Sequence, residues 1–298
     1  MDYFLHILIV IGIYSIVSMS LNVLAGYAGL VSVCHAAFFG IGAYTTALLS
    51  LKLGVPFLLN TAAGAVLSGF VALFIAWPSL RTHDDYFVIM TFAFQIIIFS
   101  IINNWLRVTG GPIGLAGIPQ PELFGIKISS HAAYFMLIFV FCMLVYLFLS
   151  RVTKSPFGQI LKAIREDEIF ATSLAKDTLK FKVVAFVLGA AVASIGGSLY
   201  ASYITFIDPT SFTIMESIFI LSIVIIGGAG NLKGSIVGSA LLVSIPEILR
   251  FVGMSSDIAS NMRQIIYGVL IVVFMMYRPQ GFFGEMVSGK QQSERKER

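Results

Sequence analysis

Long apolar segments recur throughout this chain and leave few folds open to it. A helix that crosses the hydrocarbon core of a bilayer needs about 20 mainly apolar residues, because each residue adds about 1.5 Å to a path of about 30 Å. The candidate spans are 4–24, 30–50, 56–77, 86–105, 132–150, 183–203, 214–227, 235–250 and 263–277. These segments are continuous rather than alternating in polarity, which favours helices over the strands of a membrane barrel.

The composition excludes an ordinary soluble domain. The 298 residues are 58% hydrophobic and 11% charged, with a mean hydropathy of +0.93, whereas a soluble domain is about 25% charged. A globular core of this size could not enclose so much apolar surface. We therefore expect an all-α integral membrane protein with a single transmembrane domain over 1–298. It should be a polytopic bundle of about eight or nine spans with glycine-broken or re-entrant segments.

Basic residues are concentrated in two segments beside apolar spans. Seven of the 19 Lys and Arg lie in 151–182, and five lie in 278–298. Such clusters mark the cytoplasmic side of a membrane protein, which accounts for them better than nucleic-acid binding does. Both the loop and the C-terminal tail are therefore predicted to be cytoplasmic. One topology satisfies both, and it places 107–131 and 207–211 outside.

Glycine-rich breaks interrupt the apolar segments in both halves of the chain. The first contains Gly26 and Gly29, and the second contains Gly227, Gly228 and Gly230. Interrupted segments of this kind are typical of internally repeated transporters with broken helices near the pathway. Tight turns or close helix packing through glycine remain the alternative. The five glycines are candidates for a helix break or for the pathway.

Few polar groups lie deep in the predicted spans. Asn22, His35 and Gln95 are the main ones, and each is expected to form hydrogen bonds between helices. His35 and Gln95 are also pathway candidates. The shortage of buried carboxylates argues against a proton- or sodium-coupled carrier.

No sequence motif supplies catalysis, a metal site or nucleotide binding. The four histidines are scattered, and Cys34 and Cys142 lie singly in apolar segments. The order Lys233-Gly234-Ser235 does not match a phosphate-binding loop, which needs Gly-Lys followed by Ser or Thr. We expect no enzymatic activity and no cofactor. If ATP powers the protein, another subunit binds it.

The cytoplasmic loop predicts an amphipathic helix over 156–175. Ser155 and Pro156 form a good helix start, and apolar residues follow at helical spacing, interrupted at Asp167. Such a helix could lie on lipid or dock a partner. The acidic run 166–168 favours a protein partner over an anionic membrane surface.

Motifs along nearly the whole chain resemble the permease subunits of branched-chain amino acid ABC importers. The matching segments are 25–32, 35–44, 86–87, 91–94, 103–105, 109–115, 163–168, 225–232 and 278–281. The family's cytoplasmic coupling segment is similar to the residues Ala163, Ile164, Arg165, Glu166, Asp167, Glu168 and Ala171. The chain departs from the family at Phe170, where a small residue is usual.

The resemblance implies an importer assembled in a bacterial cytoplasmic membrane. Its parts would be two homologous permeases, two ATPase subunits and an external substrate-binding protein, with the loop helix docked on the ATPase. The cargo would be a branched-chain amino acid, although related permeases carry urea or amides. A self-sufficient ion-coupled carrier is the alternative from a different class.

Overall fold

The computed structural model describes residues 2–81, 84–123, 126–173, 177–251, 266, 268–269, 272–273, 276 and 281–283. The helices are α1 (Asp2–Asn22), α2 (His35–Leu53), α3 (Phe57–Ser79), α4 (Asp84–Asn104), α5 (Leu106–Thr109), α6 (His131–Lys154), α7 (Pro156–Glu166), α8 (Glu168–Ser173), α9 (Thr178–Ile204), α10 (Ile214–Gly227) and α11 (Leu232–Phe251). A π-helical turn, Val23–Tyr27, continues α1, and 3₁₀ turns cover Gly111–Ile113 and Pro209–Phe212. Four two-residue strands complete the described elements: β1 (Leu115–Ala116), β2 (Glu122–Leu123), β3 (Ile126–Lys127) and β4 (Phe206–Ile207).

The long helices have the dimensions and polarity of membrane spans. Six of them are long and apolar enough to cross a bilayer, and α10 with α11 forms a pair bent by 118° that raises the number to as many as seven. The polytopic all-α fold with a glycine-broken segment is thus confirmed. The count differs slightly from the expected eight or nine, because 214–227 and 235–250 belong to this one bent pair. Most of 263–277 lies outside the described residues.

Large apolar side chains cover the outward faces of the peripheral helices. Phe70 and Phe74 on α3 are 69% and 79% exposed, and Met136 and Phe139 on α6 are 65% and 58% exposed. In water this would be an unusually large apolar surface. In a bilayer it is the expected lipid-facing surface, while the helices satisfy their own backbone groups.

The centre of the bundle is held together by small residues. A methyl group on Gly197 of α9 would lie 1.9 Å from the backbone oxygen of Phe39 in α2. On Gly42 of α2 it would lie 2.1 Å from the backbone oxygen of Ser194. Backbones at this distance gain dispersion contacts that larger side chains would prevent, which is how helices associate in lipid. The helices α1, α2, α3 and α9 therefore form the core.

Two short antiparallel pairings organise one end of the bundle. β1 pairs with β4, joining the loop before α6 to the loop after α9. β2 pairs with β3 in a small hairpin. The β1–β4 pairing brings together the two loops that the charge pattern places on the same, outer side.

We predict that Gly197→Val prevents normal folding, because the added side chain would overlap the backbone of α2. Overpacking by even one or two methylene groups costs about 1–3 kcal/mol. The check is the amount of monodisperse protein after detergent extraction, together with its midpoint of thermal unfolding.

Gly69→Ala is the matched control, since its methyl group would meet only Val187 Cγ1, at 3.5 Å. This variant should behave as the wild type does. Equal yields and midpoints for the two variants would contradict the close contact between α2 and α9.

Candidate functional site

The loop between α6 and α9 folds into the two short helices α7 and α8. Ser155 precedes Pro156, which starts α7 with the backbone angle that suits a first helical position. Asp167 is extended between the helices, and its carboxylate accepts the backbone N–H of Phe170 at 2.9 Å. The predicted amphipathic segment and its interruption at Asp167 are therefore present. Residues 174–176 lie outside the described part of the chain.

The predicted coupling residues divide between two faces of this segment. Ile164 and Ala171 are buried; Arg165 and Glu168 are partly buried; Ala163, Glu166 and Asp167 are exposed. The next residues, Ile169 and Phe170, are 84% and 59% exposed. The segment thus presents two large apolar side chains beside an acidic surface.

Glu168 has a partner within the chain. Its carboxylate lies 2.7 Å from the Nζ atom of Lys182, whose side chain is 8% exposed. This ion pair ties the start of α8 to the start of α9. A charged hydrogen bond with one largely buried member is worth more than an exposed ion pair. Glu166 is therefore the glutamate of this segment that is open to an external partner.

Arg165 connects α7 to the first glycine break. Its Nη1 donates a hydrogen bond to the backbone oxygen of Gly26. A methyl group on Gly29 would lie 3.0 Å from Arg165 Cγ, and one on Gly230 would lie 3.1 Å from its Nη1. Two of the predicted glycine breaks and the predicted coupling segment therefore meet at this arginine.

The first break is a change of helix type followed by a turn. The backbone N–H of Ala28 reaches the oxygens of Val23 and Leu24, and Leu30 N–H also reaches Leu24. Gly29 then has φ 73°, a conformation that glycine adopts without a steric penalty. The chain remains irregular until α2 begins at His35. This is later than the predicted start at residue 30, because the turn occupies the first part of that apolar segment.

The second break packs directly against the first. A methyl group on Gly26 would lie 2.2 Å from the backbone nitrogen of Gly230. Gly228 and Gly230 have φ of 117° and 88°, which lets the chain reverse between α10 and α11. Gly227 faces α11, since a methyl group there would lie 2.2 Å from Gly234 O. These glycines therefore break helices and also allow close packing, and their place near a pathway stays a prediction.

Asn22 fastens the two breaks together. It is fully buried, and its Oδ1 accepts the backbone N–H of Gly230 at 2.8 Å. Its Nδ2 donates to Asn231 O at 2.9 Å and to Ser235 Oγ at 2.7 Å. The prediction of an interhelical hydrogen bond is confirmed, although the sequence did not identify Asn22 as a site residue. The sequence signal that could have identified it is an isolated Asn close before the glycine break at Gly26.

Gln95 forms a second polar joint, deeper in the bundle. Its Oε1 accepts the backbone N–H of Ala37 at 2.8 Å and the hydroxyl of Ser217 at 3.1 Å. Its Nε2 donates to Phe212 O at 2.8 Å. Ser217 Oγ in turn accepts the N–H of Ala36 at 2.9 Å. Gln95 therefore joins α4 to the first turns of α2 and α10, as predicted for an interhelical donor and acceptor.

His35 does not share in this joint. Its ring is buried, 1% exposed, and neither ring nitrogen has a hydrogen-bond partner among the described residues. It packs edge-on against Phe38 and lies beside Gly189, where an added methyl group would be 3.6 Å from Nε2. The structure therefore places His35 in the α2–α9 contact and not beside Gln95. The expected hydrogen bond is absent among these residues.

A short turn near the C-terminus closes the end of the second break. Phe282 and Phe283 donate their backbone N–H groups to Ile226 O and Gly227 O at 3.0 and 3.1 Å. Asn231 Nδ2 returns a bond to Phe283 O at 2.9 Å. The last carbonyl groups of α10 thus gain partners that the helix itself cannot supply. This turn lies on the same end of the bundle as Arg165.

The arrangement connects α7 to both helix breaks. In the parts of the chain that the structure describes, no group of three or more His, Cys, Asp or Glu could hold a metal ion. The buried polar groups at the breaks bond mainly to backbone. A shift of α7 would instead act through Arg165 on two helix ends at once.

Comparisons with known proteins agree with this architecture. Residues 3–275 match the family described as the branched-chain amino acid transport system permease component. The chain belongs to this permease family. No solved structure matches the chain.

Relatives of two kinds resemble this permease over most of its length. The high-affinity branched-chain amino acid transport system permease protein LivM of Escherichia coli K12 is 34% identical, over 90% of this chain and 67% of its own. The probable LivM of Methanocaldococcus jannaschii is 28% identical, over 94% and 92%. The LivH permease of Escherichia coli K12 is 22% identical, over 91% of each chain.

We predict that Asn22→Ala loosens the contact between the two breaks. The substitution leaves the N–H of Gly230 and the oxygen of Asn231 without their partner, and each buried unsatisfied group costs about 1–3 kcal/mol. The midpoint of thermal unfolding should fall, and amide exchange at 228–231 should accelerate.

Asn104→Ala provides the control, because Asn104 makes a single exposed bond to Ser100 O at 2.8 Å within α4. Its unfolding midpoint should stay near that of the wild type. Unchanged exchange at 228–231 in Asn22→Ala would contradict the role given to Asn22.

Proposed function

We propose that this permease is one membrane subunit of an ATP-driven importer of branched-chain amino acids in a bacterial cytoplasmic membrane. Family membership supports the permease role and the class of cargo. The observation that carries the mechanism is the bond from Arg165, in the cytoplasmic coupling segment, to Gly26 in a broken helix. The chain itself hydrolyses no ATP and holds no cofactor.

Coupling would pass from the ATPase to the helix breaks through α7. A helix with a buried face behaves as a rigid unit because packed interfaces do not deform continuously. Movement of α7 therefore displaces Arg165 against Gly26 and Gly230. Glycine backbone absorbs such a displacement at low cost. The breaks then alter the packing of α1, α10 and α11.

The partners follow from the same proposal. The relatives include both LivM and LivH permeases, and a second permease of the LivH kind would complete the membrane part. Two ATPases would bind the cytoplasmic surface, to which the charge pattern also assigns the basic tail 278–298. A substrate-binding protein would deliver cargo to the outer loops that β1 and β4 join.

We predict that the purified chain alone transports nothing. Reconstituted with its second permease, its ATPases and its binding protein, it should show uptake of leucine, isoleucine or valine that requires ATP. The measurement is radiolabelled uptake into proteoliposomes with ATP or with a non-hydrolysable analogue.

Uptake by the chain alone without ATP would show an ion-coupled carrier. ATP-dependent uptake of urea or amides, with no response to branched-chain amino acids, would retain the importer but replace its cargo.

We propose that the ATPase binds at the first turn of α8. Among the described residues of this loop, Ile169 and Phe170 are the most exposed apolar side chains. A lipid-facing role does not suit a segment flanked by Glu166 and Asp167. Exposed aliphatic and aromatic anchors that enter a groove carry most of the energy of an interface. Glu168 is less informative here, because its substitution would also break the pair with Lys182.

We predict that Ile169→Asp weakens ATPase binding by about tenfold or more, since a desolvated carboxylate would replace an apolar anchor. Uptake should fall in parallel while the amount of inserted permease is unchanged. Co-purification of the ATPase and vesicle uptake are the two measurements.

Ile113→Asp is the matched control, because Ile113 is equally exposed, at 81%, but precedes β1 at the other end of the bundle. ATPase binding should be normal in this variant. Normal binding in Ile169→Asp as well would refute the assigned contact.

A further inference from the structure

A cavity lies at the outer end of the bundle, away from the helix breaks. It has a volume of about 560 Å³ and is bounded by the end of α2, the start of α3, the end of α9 and residues 119–122. Sites for small molecules are typically about 300–1,000 Å³. Its walls include apolar groups of Val55 and Phe57 together with several polar side chains.

Asn60 is one of the residues that line this cavity, and its side chain carries a hydrogen-bond acceptor that has no partner among the described residues. The side chain is 1% exposed, and its Nδ2 donates to the backbone oxygen of Val55 at 2.9 Å. A carbonyl oxygen can only accept, so this bond fixes which end of the amide is which. Oδ1 is consequently the free end, and it is buried without a partner. A buried acceptor of this kind is costly unless a ligand or water supplies a donor.

Two more groups add to the polar character of the same wall. Thr46 Oγ1 is also buried and without a partner. Ser50 Oγ donates its proton to Ala47 O at 3.1 Å, so its lone pairs remain for a donor in the cavity. Asn60 Oδ1 and Ser50 Oγ can only accept here, whereas the Thr46 hydroxyl can accept or donate, so these three groups offer more acceptors than donors to a ligand.

The charge of the residues that line the cavity also favours a ligand that donates hydrogen bonds. Glu122 lines the cavity, whereas no Lys, Arg or His is among the lining residues in the described part of the chain. Lys127 is the cross-strand neighbour of Glu122 in the β2–β3 hairpin and lies outside this lining. A cationic N–H donor would be attracted to such a surface, and a bare carboxylate would not.

We propose that this outer cavity binds the ammonium group of a small neutral amino acid, with Asn60 Oδ1 as the principal acceptor. The apolar side chain of the ligand lies against Val55 and Phe57. The identity of the ligand rests on the proposed function, whereas the preference for an ammonium group comes from the cavity itself. The site would receive cargo on the side where β1 and β4 join the outer loops.

The test compares leucine with two analogues that each lack one charged group. Saturation-transfer NMR on the full chain in nanodiscs should detect binding of leucine and of 3-methylbutylamine, which lacks the carboxylate. It should not detect 4-methylpentanoate, which lacks the ammonium group. Asn60→Leu should weaken amine binding by about tenfold, since it removes a charge-assisted hydrogen bond.

Two further variants guard against a folding defect. Thr46→Val is nearly isosteric and should weaken binding by a smaller factor. Ser68→Ala is the matched control, because Ser68 is also buried without a partner but does not line the cavity, and binding should be unchanged.

Three results would overturn the proposal. The first is that the wild type does not bind 3-methylbutylamine, and the second is that Asn60→Leu and Thr46→Val bind it as tightly as the wild type does. The third is that the wild type binds 4-methylpentanoate as tightly as 3-methylbutylamine. Uptake by the assembled importer is measured separately. Amine binding without branched-chain uptake would reject the proposed function and retain the site. Uptake without amine binding would reject only the site.

Discussion

One buried amide joins the two helix breaks of this permease. Asn22 reaches the backbone of a glycine turn more than 200 positions later in the chain, and it satisfies groups there that no helix could satisfy. In lipid no water is available to hydrogen-bond with such groups, so an irregular turn is stable only where the protein supplies the partners. This amide supports three features described above: the bent α10–α11 pair, the close approach of Gly26 to Gly230, and the position of Arg165.

The joint at Gln95 supplies hydrogen-bond partners for the end of a helix within the bundle. The first turn of α2 lies against it and brings the N–H groups of Ala36 and Ala37 together with a partial positive charge. The side chains of Gln95 and Ser217 supply neutral acceptors. The start of α2 is thus held by neutral acceptors.

Much of this architecture was predictable from the sequence, because spans, glycine breaks and a cytoplasmic amphipathic helix are local patterns. The interruption at Asp167 and the hydrogen-bonding roles of Asn22 and Gln95 could also be anticipated. The contacts of Arg165 and the Glu168–Lys182 pair could not, since they depend on how distant segments meet. The interhelical hydrogen bond predicted for His35 was wrong for the same reason, because a polar residue in an apolar segment does not reveal which neighbour it faces. Asn60 escaped notice because it lies in a segment read only as a span.

The turn at 281–283 has a consequence for the order of assembly. It supplies the partners for Ile226 O and Gly227 O, and a methyl group on Gly281 would lie 2.6 Å from Ile225 O. The turn lies more than 50 positions after α10 in the chain, and it also follows α11. The carbonyl end of α10 can therefore be closed only after both helices have been synthesised, and until then it is an unfinished helix end beside Asn22.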